Sequence, residues 1–353
     1  MARKKNITTI NNTGKLSFKD KLKIINKLAG GEVAHDLAGI PVGKISELAG
    51  LSGTGKSYMA AQISGNAQKK GYNVYYFDSE SAISSEFLEQ CGCILDTEKE
   101  EDYGDFVYIQ AQNVEFVLET IETILVSGEE KNLFVWDSLA LTPAIADLEG
   151  DFNPQSTMAV KPRILSKGLA KLLQPICNSN SALLVLNQLK DNITRSPSEA
   201  MTTPYFTPGG KALIYSYSLR IWLTGRKAKA SFVTDERGYR IGSEVKCKLE
   251  KSRFGTHGRM CNFKILWGDQ VGIQDEESWF DAISSSEHLN NSGAWFTLKK
   301  DGFEHKFQKS KFAELVKTDE KFKKVVLDII DEEVIMKFDK RLGEASQYYD
   351  DVK

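Results

Sequence analysis

Apolar and polar positions along the chain follow two alternating rhythms. Short apolar runs that close on a polar residue recur at NVYYFD (73–78), FVYIQ (106–110), NLFVWD (132–137) and ALLVLN (182–187), after an earlier run, KISELA (44–49). Between them apolar residues return at three- and four-residue spacing, as Met59, Ala60, Ile63 and Ala67 do. The runs read as buried strands and the spaced stretches as helices. Strand and helix in alternation predict an α/β fold, with a central, largely parallel twisted sheet flanked by helices. In such a sheet the ligand crevice opens at the carboxyl ends of the strands, so Asp78, Gln110, Asp137 and Asn187 are expected to point toward it.

The first strand runs into GLSGTGKS (50–57), which fits G-x-x-x-x-G-K-[ST] in its required setting between strand and helix. Gly50, Gly53 and Gly55 let the backbone turn its N–H groups inward at the positive end of a helix, where donors and dipole together stabilise a polyphosphate. Leu51, Ser52, Thr54 and Tyr58 complete this nucleotide cradle. Lys56 is expected to reach the β and γ phosphates, and Ser57 to offer its hydroxyl to Mg2+. A carboxylate closing an apolar strand, as Asp137 does after LFVW, is the partner such a magnesium site needs. Glu80, two residues past Asp78, falls at the rim of the same crevice, where it can orient water for attack on the γ-phosphate. The strand carrying it is expected to adjoin the P-loop strand.

Charge divides the chain unevenly although its net value is −2. Arg3, Lys4, Lys5, Lys15, Lys19, Lys21, Lys23 and Lys27 face only Asp20 within residues 1–28, whereas acidic residues prevail from 331 to 353. A basic arm and an acidic tail suit a protein that binds a polyanion and regulates access to it. The expected organisation is a basic arm with an oligomerisation helix (1–30, including LSFKDKLKIINKL), an ATPase core (31–275) and a small C-terminal domain with an acidic tail (276–353). No stretch approaches 18 apolar residues and MARKKNITTINN is not signal-like, so a cytoplasmic protein without a membrane partner is expected. The five cysteines have no metal-ligand spacing and read as small buried hydrophobes.

Seven segments, GLSGTGKS, YFDSESA, VWDSLALTP, LVLNQLK, TPGGKALIYSYSLRI, KLEKSRFG and KILWGDQVGI, stand in an order and spacing that resembles the RecA recombinases, including the bacteriophage UvsX type. The resemblance runs from about residue 25 to 275, and GAW (293–295) resembles the start of the small C-terminal domain of bacterial RecA. It implies a RecA-like P-loop ATPase core and a DNA-dependent ATPase and recombinase that uses ATP and Mg2+. Such a protein forms a helical filament on single-stranded DNA and pairs it with homologous double-stranded DNA, with a single-strand-binding protein and a mediator as further partners.

The same resemblance implies site roles. Glu80 takes the catalytic glutamate position, Asp137 and Ser138 the Walker B position, and Gln188 that of the γ-phosphate sensor. Phe87 and Trp267 match aromatic positions near the adenine. Lys251 and Arg253 match two cations that reach the neighbouring subunit's nucleotide. Two segments without regular periodicity, about 147–160 and 189–208, are expected to be DNA loops. In the first, Met158 matches an apolar wedge and Arg163 a phosphate contact. In the second, Lys190, Arg195, Gly209 and Gly210 are candidate phosphate contacts, Ile193 a candidate wedge, and Tyr205 or Phe206 a candidate stacking ring. KSRFG also resembles the RadA branch, whose members form hexameric rings; the zinc-binding C-x-x-C module and protease-like domain of that branch have no counterpart in this sequence.

Overall fold

Burial explains the strand pattern. In the computed structural model every residue of β1 (Ile45–Gly50) is buried, and so is every residue of the strand NLFVWD at 132–137. Strands covered on both faces need continuous apolar runs rather than alternation. The structure describes residues 39–335 apart from 82, 96–102, 129–130, 151–158, 193–203, 226–230, 255–257, 268–271 and 275. The basic arm, the acidic tail from 336, Met158, Ile193 and Arg195 lie outside the described residues. Among the described residues no helix is long and apolar enough to cross a membrane.

The described chain falls into two units, the first drawn from Lys23–Ser231 with Val245–Met260, the second from Phe232–Glu244 with Cys261–Lys353. After β1 the first unit continues with α1 (Lys56–Gln68), β2 (Asn73–Asp78), α2 (Ser85–Gln90), β3 (Phe106–Gln110), α3 (Val114–Ser127), β4 (Asn132–Asp137), α4 (Ile145–Glu149) and α5 (Val160–Asn178). Next come β5 (Ala182–Gln188), β6 (Lys190–Asp191), β7 (Tyr205–Phe206), α6 (Lys211–Ser216) and β8 (Leu219–Thr224). Strands pair in the order β3-β2-β4-β5-β1-β8, all parallel. The half of β10 (Arg240–Ser252) that belongs to this unit runs antiparallel to β8.

One expectation is corrected by this order. The strand carrying Glu80 does not adjoin the P-loop strand, because the chain leaving β1 passes over the places of β5 and β4 before laying down β2. On one face of the sheet α3 and α5 cover Phe77, Phe134, Trp136, Leu183 and Val185 with Val117, Ile121, Leu165, Leu169 and Leu172. Each large side chain so buried contributes about 1.5–3 kcal/mol. The two helices meet at Gly168, where a Cβ would fall 2.3 Å from Leu118 Cδ1.

In the second unit, β9 (Phe232–Thr234), the first part of β10, β11 (Met260–Leu266) and β12 (Gly272–Gln274) form antiparallel pairs. Beyond them α7 (Glu276–Ile283), β13 (Leu289–Ser292), β14 (Trp295–Lys300), β15 (Phe303–Gln308), α8 (Phe312–Thr318) and α9 (Glu320–Ile330) enclose a core of their own. That core is built on Phe280, Phe307, Phe312 and Phe322, with edge-on rings 5.2 Å apart at Phe280–Phe312 and Phe307–Phe322.

The cysteine expectation holds for two of five residues. Cys91 and Cys93 are buried, and burial pushes their thiols up to about 11 and about 12. Cys177 and Cys247 are only half-buried and Cys261 is exposed, so these three are not core hydrophobes.

Candidate functional site

The P-loop is a turn that only glycine permits at three places. Gly53 and Gly55 take φ values of 73° and 79°, in the left-handed region. At Gly50 a Cβ would fall 2.5 Å from Thr54 Oγ1 and 3.0 Å from Leu223 O. Thr54 closes the turn by donating from its hydroxyl to Leu51 O at 2.8 Å. Gly55 caps α1, whose first turn carries no acidic side chain to compete for its free amides. Lys56 bends back over the loop and donates to Gly50 O at 3.2 Å and Leu51 O at 3.1 Å. Burial lowers its pKa from the ordinary lysine value, while Asp137 and Glu80 pull it upward. Ser52 and Gly53 are exposed at the tip. Tyr58, buried in α1, meets Phe87 edge-on at 5.7 Å, which seats Phe87 beside the P-loop helix. Trp267 lies in the second unit, partly exposed, with the Arg240 guanidinium 5.2 Å from its ring centre.

Three carboxylates approach this loop and each has a different task. Asp137, at the end of β4, accepts hydrogen bonds from Ser57 and, at 2.9 Å, from the Tyr76 hydroxyl. Burial pushes its carboxyl above the ordinary aspartate range and those two donors pull it back down. Asp78 is consumed by its own turn: it accepts from the N–H groups of Glu80 (2.8 Å), Ser81 (3.0 Å) and Ile83 (3.3 Å) and from the Tyr108 hydroxyl (2.9 Å). Its work is to shape the bend that presents Glu80. Glu80 Oε1 in turn accepts from the Ser138 hydroxyl at 3.1 Å.

The bend after β2 is stitched to the end of β4 where Ser79 N–H donates to Asp137 O (2.7 Å) and Ser138 N–H to Ser79 Oγ (2.9 Å). Glu80 therefore reaches the crevice although β2 lies three strands from β1. Gln188 ends β5 in register with Gly50. Lys56, Ser57, Glu80, Asp137 and Gln188 thus gather at the carboxyl ends of four parallel strands. Gln110, by contrast, donates to the Ser81 hydroxyl at 3.1 Å and supports the turn.

Donor chemistry at Ser57 and Asp137 fits a magnesium ion that keeps water and takes phosphate oxygens, since one hydroxyl and one carboxylate at a helix N-terminus suffice for it. Among the described residues no group of three or more His, Cys, Asp or Glu forms a closed metal cage.

The roots of the two proposed DNA loops share one face. Lys161, in the first turn of α5, donates to Ala140 O at 3.0 Å. Burial lowers its pKa, with Asp147 opposing that shift and the ammonium of Lys190 reinforcing it. A Cβ on Gly210 would fall 3.8 Å from Pro162. Arg163 and Lys190 are exposed there, and Gly209 and Gly210, with φ of 109° and 89°, lead into α6.

The second loop departs from the expected irregularity. Lys190–Asp191 pair antiparallel with Tyr205–Phe206, and Asn192 N–H donates to Pro204 O at 2.8 Å, making a short stem. Tyr205 packs against the small cluster of Ala49, Leu189 and Trp222, which leaves Phe206 as the exposed ring.

Lys251 and Arg253 stand elsewhere. Lys251 Nζ donates to Ile214 O and Arg253 Nη2 to Tyr215 O, both at 2.5 Å, at the C-terminal end of α6. Arg253 N–H donates to Ser218 O, and Ser218 N–H to Ile45 O. Ile45 opens β1 and Gly50 closes it, so Arg253 sits about 17 Å along the strand from its own P-loop, and Lys251, paired through Arg220 to the level of Glu47, about 10 Å.

Glu47 and Arg220, to which no role was expected, form a buried ion pair at 2.6 Å between β1 and β8, and Lys161 joins the loop roots equally unannounced. The available signal was a charge inside an apolar strand, in ISELAG and LRIWLT.

Residues 10–273 match the family described as RecA N-terminal domain. Protein RecA of Campylobacter lari is 30% identical over 280 residues, covering 78% of this chain and 75% of that protein. Protein RecA of Streptomyces rimosus is 28% identical over 270 residues, covering 76% of this chain and 66% of that protein. Protein RecA of Nitratiruptor is 28% identical over 285 residues, with coverage of 79% and 76%.

Proposed function

The chain belongs to the RecA family, and from that premise we propose that it is a DNA-dependent ATPase and recombinase, which forms ATP-bound filaments on single-stranded DNA and promotes pairing and strand exchange with homologous duplex. The observation that carries this reading is the convergence of Lys56, Ser57, Asp137 and Glu80 on one strand-end crevice. Lys56 and the first amides of α1 bind the ATP phosphates, while Phe87 contacts the adenine. Ser57 and Asp137 hold Mg2+, which when bound neutralises phosphate charge. Glu80, steadied by Ser138, orients the attacking water and accepts its proton. Gln188 contacts the γ-phosphate, and Lys251 with Arg253 supply positive charge to the neighbour's nucleotide.

Arg163, Lys190, Arg195 and the amides of Gly209 and Gly210 hold the DNA backbone. Met158 and Ile193 wedge between bases. Residues 1–30 serve assembly, and the acidic tail regulates access to DNA. A single-strand-binding protein and a mediator complete the set of partners.

Two assays test this function. Single-stranded DNA is expected to stimulate ATP hydrolysis, and the protein with ATP to exchange strands between a circle and a homologous duplex; absence of both activities overturns the proposal. Arg163→Ala and Lys190→Ala are each expected to weaken single-strand affinity for every sequence and to flatten the slope of log affinity against log salt by about 0.7, the loss of one phosphate contact. Parental slopes in both variants would remove these loops from the backbone site.

A further inference from the structure

Glu47 stands in the middle of β1 with its side chain wholly buried, and its Oε2 accepts from Arg220 Nε at 2.6 Å, with Arg220 7% exposed. A buried ion pair is a weak reason for a fold to be stable, because apolar residues of equal volume serve as well or better. The remaining hydrogen bonds of the pair give it a different meaning. Arg220 Nη2 donates to Thr207 Oγ1 at 2.9 Å. Glu47 Oε1 accepts from Asn187 Nδ2 at 3.0 Å, and the same amide donates to Pro208 O at 3.1 Å. Asn187 Oδ1 accepts from the backbone N–H of Gln188 at 2.9 Å.

These bonds form a continuous path. It begins at Gln188, in register with Gly50 of the P-loop, and ends at Thr207 and Pro208, directly after the stem of the second loop. Beyond Pro208 come two positive-φ glycines, Gly209 and Gly210. Glycines can turn freely, so the bonds to Thr207 and Pro208 fix where the loop leaves the sheet. One carboxylate orients both the Asn187 amide and the Arg220 fork. The Gln188 backbone is thereby bonded, through Asn187 and Glu47, to both anchors of the loop.

We infer that Glu47, Asn187 and Arg220 are positioning residues that couple the nucleotide at the P-loop to the affinity of the second loop for single-stranded DNA. The inference rests on the proposed function and assigns the coupling to side chains that touch neither ligand. By reciprocity, DNA on the loop raises nucleotide affinity by the same factor as nucleotide raises DNA affinity.

The test uses the full chain and Arg220→Lys. Lysine keeps a positive charge for Glu47 but lacks the second arm of the fork that reaches Thr207. Single-strand affinity is measured without nucleotide and with a saturating non-hydrolysable ATP analogue, and the ratio of the two is the coupling. Arg220→Lys is expected to lower that ratio about tenfold, the loss of one charge-assisted hydrogen bond, with nucleotide affinity in the absence of DNA unchanged. The paired replacement Glu47→Leu with Arg220→Met keeps an apolar, filled core and is expected to fold and to show the same flattened ratio. A lowered melting temperature with the parental ratio in both variants assigns the network to folding alone and overturns the inference, leaving the proposed function standing. A parental protein whose DNA affinity ignores nucleotide overturns the proposed function and the inference with it.

Discussion

Glu80→Gln is expected to lower DNA-stimulated ATP hydrolysis by about 10²–10⁴-fold while leaving ATP and DNA affinity within about twofold of parental. Glutamine fills the same space and still accepts a hydrogen bond from the Ser138 hydroxyl, which stands 3.1 Å from Glu80 Oε1. On the proposed function, what it loses is the negative charge that takes a proton from water. The fold does not depend on that charge, because the turn is built by Asp78, which accepts three backbone N–H groups and the Tyr108 hydroxyl. The proposed phosphate contacts, from Lys56 and the start of α1, also remain. Steady-state ATPase with single-stranded DNA, beside equilibrium binding of a fluorescent ATP analogue, measures the split. Hydrolysis at the parental rate would remove Glu80 from the mechanism, and lost nucleotide binding would make it a structural residue.

Lys251→Ala with Arg253→Ala is expected to cost about 10³-fold or more in ATP turnover, the scale on which cations stabilise charge spreading over a phosphoryl group. Their placement gives the loss a particular form. Within one chain both cations are bonded to carbonyls at the end of α6, level with the first half of β1 rather than with the P-loop that follows its end. On the proposed function a neighbouring chain brings them to a nucleotide. Mixing an excess of the double variant with parental protein should therefore depress activity per parental subunit.

Complementation sharpens this prediction. Glu80→Gln subunits retain the cations, and double-variant subunits retain Glu80, so each protein alone is inactive. In an equal mixture roughly one quarter of head-to-tail interfaces combine a parental Glu80 with a parental cation pair, and activity should recover to about that fraction. Co-assembly without recovery would place the cations' action inside their own chain and sink this part of the account.

Legibility in the sequence followed how local each feature is. β4 could be read as NLFVWD because a strand covered on both faces tends to a continuous apolar run, here LFVW, and the P-loop because its glycines and lysine are contiguous. Strand order could not be read, since nothing in NVYYFD tells that β2 lies beyond β4 and β5 rather than beside β1. Asp78 and Asp137 look alike as carboxylates ending apolar strands. Three-dimensional bonding separates them: one closes on its own turn, the other meets Ser57. The stem of the second loop was hidden because two residues on each side are too few to show a period of two. Glu47 in ISELAG was visible as a charge out of place, but its meaning depends on Arg220, 173 positions away.

The central claim is that a single chain holds half of each active site and that single-stranded DNA assembles the halves. Electron microscopy of the protein with single-stranded DNA and a non-hydrolysable ATP analogue tests it most directly. The account predicts continuous helical filaments along the DNA that shorten or vanish when nucleotide is withheld. Closed hexagonal rings, or separate particles under the same conditions, would contradict it.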